Sequence, residues 1–325
     1  MKLFTARFFL CTLTLLFVAP SVSFAATLYL DPDGGEYHPG DTFIVSVRLD
    51  VGGECVNVVA GEIAYPKDLL RASAFSQGES ILTLFTEQPK IDAQAGRVTF
   101  MGGVPGGYCG RIAGDPGYAN IVGKIIFSVP ATTLPGTLPA VEVLPTSQVL
   151  LADGRGTPAT LLTNKALFTI ASGTGQGINE WLDELREDAT PPESFAIDLH
   201  RNEATAGGRY FVVFQTTDKQ SGVAKYELIE RDVDRPEYIR GTRTKATWRP
   251  VESPYVLQDQ TLQSTIVVRA IDNAGQIREE SLLPNPDEGE STGSGRALAV
   301  IGGILVFLVA IGIAIYTRRS HVVSP

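Results

Sequence analysis

"LDPDGGEYHPGDTFIVSVRLD", residues Leu30–Asp50, sets two signals side by side. In its second half Phe43, Val45, Val47 and Leu49 alternate with Thr42, Ile44, Ser46 and Arg48. That period of two is the pattern of a strand with one face in a core. In its first half Asp31, Asp33 and Glu36 surround Gly34 and Gly35, a combination that suits either a calcium loop or a turn. An EF-hand loop needs oxygen ligands at alternate positions, its glycine sixth and a bidentate Glu twelfth. Here glycine follows directly on the second Asp, and the twelfth position from Asp31 is Thr42. The acidic residues therefore read as turn formers, and the sequence leads us to expect no metal and no cofactor.

The same style continues to Ile170. "NVVAGEIAY", "GRVTFMGG", "GKIIFSV", "PAVEVL" and "KALFTI" are short apolar or alternating runs, separated by Gly- and Pro-containing turns such as Asp153-Gly154-Arg155-Gly156. Many short strands without helical periodicity predict an all-β sandwich over residues 26–172. Residues 173–192 read as a linker. "SGTGQG" opens it, and Ile178, Trp181, Leu182 and Leu185 then fall at helical spacing, with Asn179 as N-cap and Pro191-Pro192 as the stop. The apolar stripe of this short helix is expected to dock on a neighbouring domain.

Residues 193–284 repeat the strand pattern. "RYFVVFQTTDKQSGVAKYELIE" predicts two strands joined at Asp218–Gly222, and "STIVVRAIDNAGQIREE" a hairpin about Asp272-Asn273-Ala274-Gly275. A second β-sandwich of immunoglobulin-like size fits this stretch.

Both ends carry export signals. Residues 1–25 combine Lys2 and Arg7, an apolar run from Phe8 to Val18 and Ser23-Phe24-Ala25, the layout of a secretory signal peptide. Residues 285–296 form a polar stalk, and Ala297–Tyr316 is an uncharged apolar run of 20 residues. As a helix, such a run spans about 30 Å of hydrocarbon. Arg318 and Arg319 follow it, so the tail 317–325 is expected in the cytoplasm and the N-terminal part outside. The expected location is a cell membrane, with a single pass.

Residues 26–295 hold 22 Lys+Arg and 36 Asp+Glu, a net charge of 22 − 36 = −14. Such a surface repels nucleic-acid phosphate, so no nucleic-acid role is expected. Only Cys55 and Cys109 remain after signal removal, both in Gly-rich loop sequence. Outside the cytoplasm they are a candidate disulfide, with two free thiols as the alternative. HExxH, GxSxG, P-loop and dinucleotide patterns are all missing, and the three histidines, His38, His200 and His321, are scattered along the chain. We expect no catalytic residues and no enzyme.

Taken together, "LYLDPDGGEYHPGDTFIVSVRLD", "VAGEIAYPKDLL", "GRVTFMGGVPGG", "GKIIFSV" and "SQVLLADGRGT" leading into "KALFTI" resemble a cohesin. Cohesins are the β-sandwich modules, of jelly-roll type, with which bacterial scaffold proteins bind dockerins; they belong to a wider superfamily of carbohydrate-binding sandwiches. In type I cohesins an Asn-x-Asp pair lies on the strand ending at the Tyr that matches Tyr65. Here Val58 and Ala60 stand at those positions, which sets this face apart from the type I pattern. Strand alternation puts Val58, Ala60, Glu62 and Ala64 on one face, the candidate partner-binding face. "TDKQSGVAKYEL" and "VRAIDNAGQ" are similar to pieces of bacterial immunoglobulin-like or fibronectin-like modules, which implies a spacer role for the second sandwich and a packing role for Trp248. The resemblance implies a surface receptor for an extracellular dockerin-like protein. The superfamily leaves polysaccharide binding, linked to polysaccharide catabolism, as an alternative, and a passive adhesion or envelope role as another.

Overall fold

The computed structural model describes residues 25–110, 120–173 and 177–283. The signal peptide up to Phe24, the stalk, the apolar run 297–316 and the tail lie outside the described residues. Among the described residues no helix is long and apolar enough to cross a membrane.

The first sandwich is built from two sheets. β1 (Ala26–Asp31), β3 (Thr42–Asp50), β5 (Arg71–Ser76), β8 (Ile121–Ser128) and β11 (Leu161–Thr163) form the smaller, in the order β11-β1-β3-β8-β5. β2 (Gly34–Tyr37), β4 (Val56–Ala64), β6 (Leu84–Asp92), β7 (Arg97–Tyr108), β9 (Ala140–Val143), β10 (Gln148–Leu151) and β12 (Lys165–Ile170) form the larger. Its order is β2-β12-β9-β4-β7-β6, with β10 alongside β4. Alternation along β3 is strict: Phe43, Val45, Val47 and Leu49 are buried and their neighbours are not. The core between the sheets centres on aromatic rings from both. Phe43 and Phe127 come from one sheet, Tyr37 and Phe168 from the other, and Phe43 stacks on Tyr37 with ring centroids 4.0 Å apart.

The opening acidic stretch does more than reverse the chain. β1 pairs with β3 in one sheet, while β2 pairs in parallel with β12 in the other, so Pro32 and Asp33 carry the chain between sheets. Asp31 Oδ2 accepts a 2.7 Å bond from Arg48 Nε, and the Asp33 carbonyl accepts from Leu167 N at 2.9 Å. This switch has a consequence for β3. Its pairing with β1 ends at Ser46, which leaves the amides of Ile44 and Thr42 without a strand beside them. Buried amides need partners, and the linker supplies them. Thr42 N donates to the Ile178 carbonyl at 2.7 Å, and Ile44 N to Glu180 Oε2 at 2.8 Å.

Glu180 opens helix α1 (Glu180–Glu187), capped by Asn179 Oδ1, which accepts from Leu182 N at 2.9 Å. The helix does dock on the first sandwich. Of its apolar stripe Ile178 and Leu182 are exposed and Trp181 and Leu185 half-buried, and its side-chain hydrogen bonds to that sandwich are made by carboxylates. Glu184 Oε1 accepts from Lys124 Nζ at 2.7 Å, and Glu79 pairs with the same ammonium. Lys124 is buried in a strand whose positions from Ile121 to Phe127 are all buried, and such a charge persists only when paired. Burial, and then the charge of Glu180, push the Tyr37 hydroxyl up to about 12. Glu180→Ala is expected to cost ~2 kcal/mol, the worth of a hydrogen bond to a charged group. Hydrogen exchange should show it directly, as a loss of protection at the Ile44 amide with β8 unchanged.

The second sandwich uses β13 (Ile197–Arg201), β14 (Tyr210–Phe214) and β17 (Tyr255–Val256) in one sheet. β15 (Val223–Asp232), β16 (Arg249–Val251), β18 (Ser264–Asp272) and β19 (Ile277–Leu282) form the other, ordered β16-β15-β18-β19. Val212, Phe214, Leu228, Ile266 and Val268 fill the space between. The hairpin about Asp272 pairs β18 with β19, whereas the Asp218 turn carries the chain from one sheet to the other.

Candidate functional site

β4 runs through the middle of the larger sheet of the first sandwich. Val59, Ile63 and Tyr65 point into the core. Gly61 does too, and a Cβ there would lie 2.4 Å from the Phe100 ring, so only glycine fits. Val58, Ala60, Glu62 and Ala64 face outward and are half-buried.

Register places neighbours beside each of them and gives the face a gradient. At one end Leu150, Val58, Gly103 and Leu84 form an apolar row. Next come Gln148, Ala60, Met101 and Glu87, then Glu62, Thr99 and Lys90. At the far end Lys165, Glu142, Ala64, Arg97 and Asp92 alternate in sign about the small Ala64. Glu62 pairs with Arg97, and its second oxygen accepts from Thr146 Oγ1 at 2.5 Å. Beyond this charged row a cleft of about 250 Å³ opens between Ala64, Arg97, Leu138 and Glu142. Leu138 is 66% exposed and Leu167, one strand over, 52%, so apolar surface reaches the rim as well as the centre. The face thus grades from an apolar end to a charged end, with the small Ala60 and Ala64 along β4 between them.

Cys55 and Cys109 are joined by a disulfide with a Cα–Cα distance of 4.2 Å. It closes the apolar end of the face, where Val56 pairs with Tyr108.

No family model matches this chain and no curated protein matches it. Solved cohesins do match. The sixth cohesin of scaffoldin B from Acetivibrio cellulolyticus, solved with a Cel5 dockerin, is 16% identical, covers 45% of this chain and 99% of its own, and gives a TM-score of 0.35. The seventh ScaB type I cohesin from Pseudobacteroides cellulosolvens covers 47% of this chain and 96% of its own at 15% identity and a TM-score of 0.37. A non-cellulosomal cohesin from the archaeon Archaeoglobus fulgidus covers 46% and 92% at 17% identity and a TM-score of 0.35.

Trp248 lies half-buried in the second sandwich beneath Arg269, whose Cζ sits 4.2 Å from the ring centroid. Lys225 and Arg269 together hold the Glu227 carboxyl below the usual carboxylate range. Asp218 and Asp272, placed in turns by the sequence, meet Asp188 of the linker, and all three are buried. The only hint in the sequence was that those two turns each begin with Asp and end in Gly.

Proposed function

We propose that this protein is a non-catalytic binding platform whose cohesin-like sandwich captures an extracellular, dockerin-type protein on the outward face of β4, β7 and β10. The face itself carries the proposal: half-buried Val58 at its apolar end, Ala60 and Met101 in the next row, and charged rows beyond. The sequence resemblance supplies the partner class. Through Val58 and Ala60 the face offers apolar contact, so it suits a partner presenting an apolar patch. A polysaccharide fits less well, because the rows described above contain no aromatic side chain on which a sugar could stack. The signal peptide and the run Ala297–Tyr316 support placing this platform on the outer side of a cell membrane, held by a single pass.

Placing a charge at the centre of a desolvated patch weakens binding more than placing one at its rim. Ala60→Arg is therefore expected to lower affinity for a captured dockerin about 100-fold, ~2.8 kcal/mol. Leu162→Arg, on the exposed edge strand of the opposite sheet, should leave it unchanged. Surface plasmon resonance over a panel of dockerin modules, in calcium so that the dockerins fold, measures both. Equal binding by wild type and Ala60→Arg sinks the assignment of this face.

A further inference from the structure

At the junction of the two sandwiches the chain buries three carboxylates against one another. Asp188 is 8% exposed, Asp218 3% and Asp272 2%, and one oxygen from each lies within 4.8 Å of one from each of the others. Among the described residues no Lys, Arg or His forms an ion pair with any of them. Their turns use only part of each group. Asp218 Oδ1 accepts from Gly222 N at 2.7 Å and Gln220 N at 3.1 Å, and Asp272 Oδ1 accepts from Gln276 N at 2.7 Å. The second oxygen, Oδ2, of both Asp218 and Asp272 is buried with no hydrogen-bond partner, as is Ser221 Oγ in the same turn.

Buried polar atoms are nearly always satisfied, and buried charges are paired or bind a metal. Two orphaned carboxylate oxygens in a buried acidic cluster, with no ion-paired basic side chain to answer them, therefore point to a cation. We propose that Asp188, Asp218 and Asp272 form a calcium site that joins the linker to two turns of the second sandwich. The donors are all oxygens, and a spread within 4.8 Å fits inside the coordination sphere set by Ca–O distances of about 2.3–2.6 Å. Asp188 is already held in place: Ser221 N donates to its Oδ2 at 3.1 Å and Gln276 Nε2 to its Oδ1 at 3.2 Å.

The site also touches the first sandwich. Ser76 Oγ donates to the Ser221 carbonyl at 2.6 Å, and Gly222, at φ +84°, packs so tightly that a Cβ would lie 2.5 Å from Gly78 N. Calcium here would fix how one sandwich is carried on the other.

The test uses the purified full-length protein, stripped with chelator, and titrates CaCl₂ or MgCl₂ by isothermal calorimetry and differential scanning calorimetry. We expect one Ca²⁺ per chain and, at 5 mM, a rise of ~10 °C in the melting temperature of the second sandwich, as a ligand near 50 times its Kd produces. Asp218→Asn and Asp272→Asn should weaken calcium binding at least tenfold without lowering the melting temperature in chelator, since each removes an unanswered charge. Wild-type protein that shows neither binding heat nor a thermal shift overturns the site and leaves shared protons as the answer to the buried charge. A response to Mg²⁺ alone overturns the choice of metal, and wild-type calcium affinity in both Asn variants overturns the residue assignment.

Discussion

Replacing Cys55 and Cys109 with serine is expected to lower the melting temperature of the first sandwich by about 10 °C. The cross-link spans 54 residues, and on the chain-entropy account closing a loop of that length stabilises the fold by ~4 kcal/mol. It ties the start of β4 to the end of β7, just where their register shifts between Val56 and Val58. Without it the apolar row at that end of the face should fray first. Differential scanning calorimetry of wild type with and without reductant, beside the double Ser variant, measures the effect. The transition of the second sandwich serves as the internal reference. Identical melts, with two thiols titrating in the folded protein, would refute the bond. Hydrogen exchange should localise the loss to β4 and β7, with β3 and β8 protected as before.

Phe43→Ala is the core substitution with the largest expected cost, ~4 kcal/mol. Phe43 stacks on Tyr37 at 4.0 Å, and it meets Phe168 at 5.1 Å and Phe127 at 5.8 Å. These four rings lie on four different strands drawn from both sheets, so the Phe43 ring joins the two layers rather than filling space within one. Its loss removes burial and aromatic pairing together. It also loosens Tyr37, whose hydroxyl donates to Glu180 Oε1 at 3.4 Å, and so weakens the seat of α1. Urea unfolding should show a lower midpoint with an unchanged slope. A loss below ~1 kcal/mol would mean that the neighbouring rings close the cavity, against the interlocked packing described above.

Much of this fold was legible because strand alternation is local. β3, β4, β7, β8, β9 and β12 can be read from their own residues, and so can the outward face of β4. β5, "RASAFS", and β6, "LFTEQPKID", could not. Both are edge strands. An edge needs only one paired side and tolerates Pro89 and a run of polar residues, so its pattern is weak. The docking of α1 was legible in existence but not in chemistry. Helical spacing showed an apolar stripe; what held the helix was a pair of amides left open on β3 and a buried Lys124.

The amino-acid sequence alone determined two β-rich units, the inward and outward residues of their central strands, the turn positions and two cysteines in loops able to bend together. Each of these depends on residues within a few positions of one another, where pleat geometry and turn chemistry act directly. Only the tertiary structure decided that the chain changes sheets at Pro32, that Lys124 meets Glu79 and Glu184, and that Asp188, Asp218 and Asp272 share one buried point. Those meetings depend on which strands pair and how the sandwiches abut, and that is settled by the burial of whole faces rather than by any local run of residues.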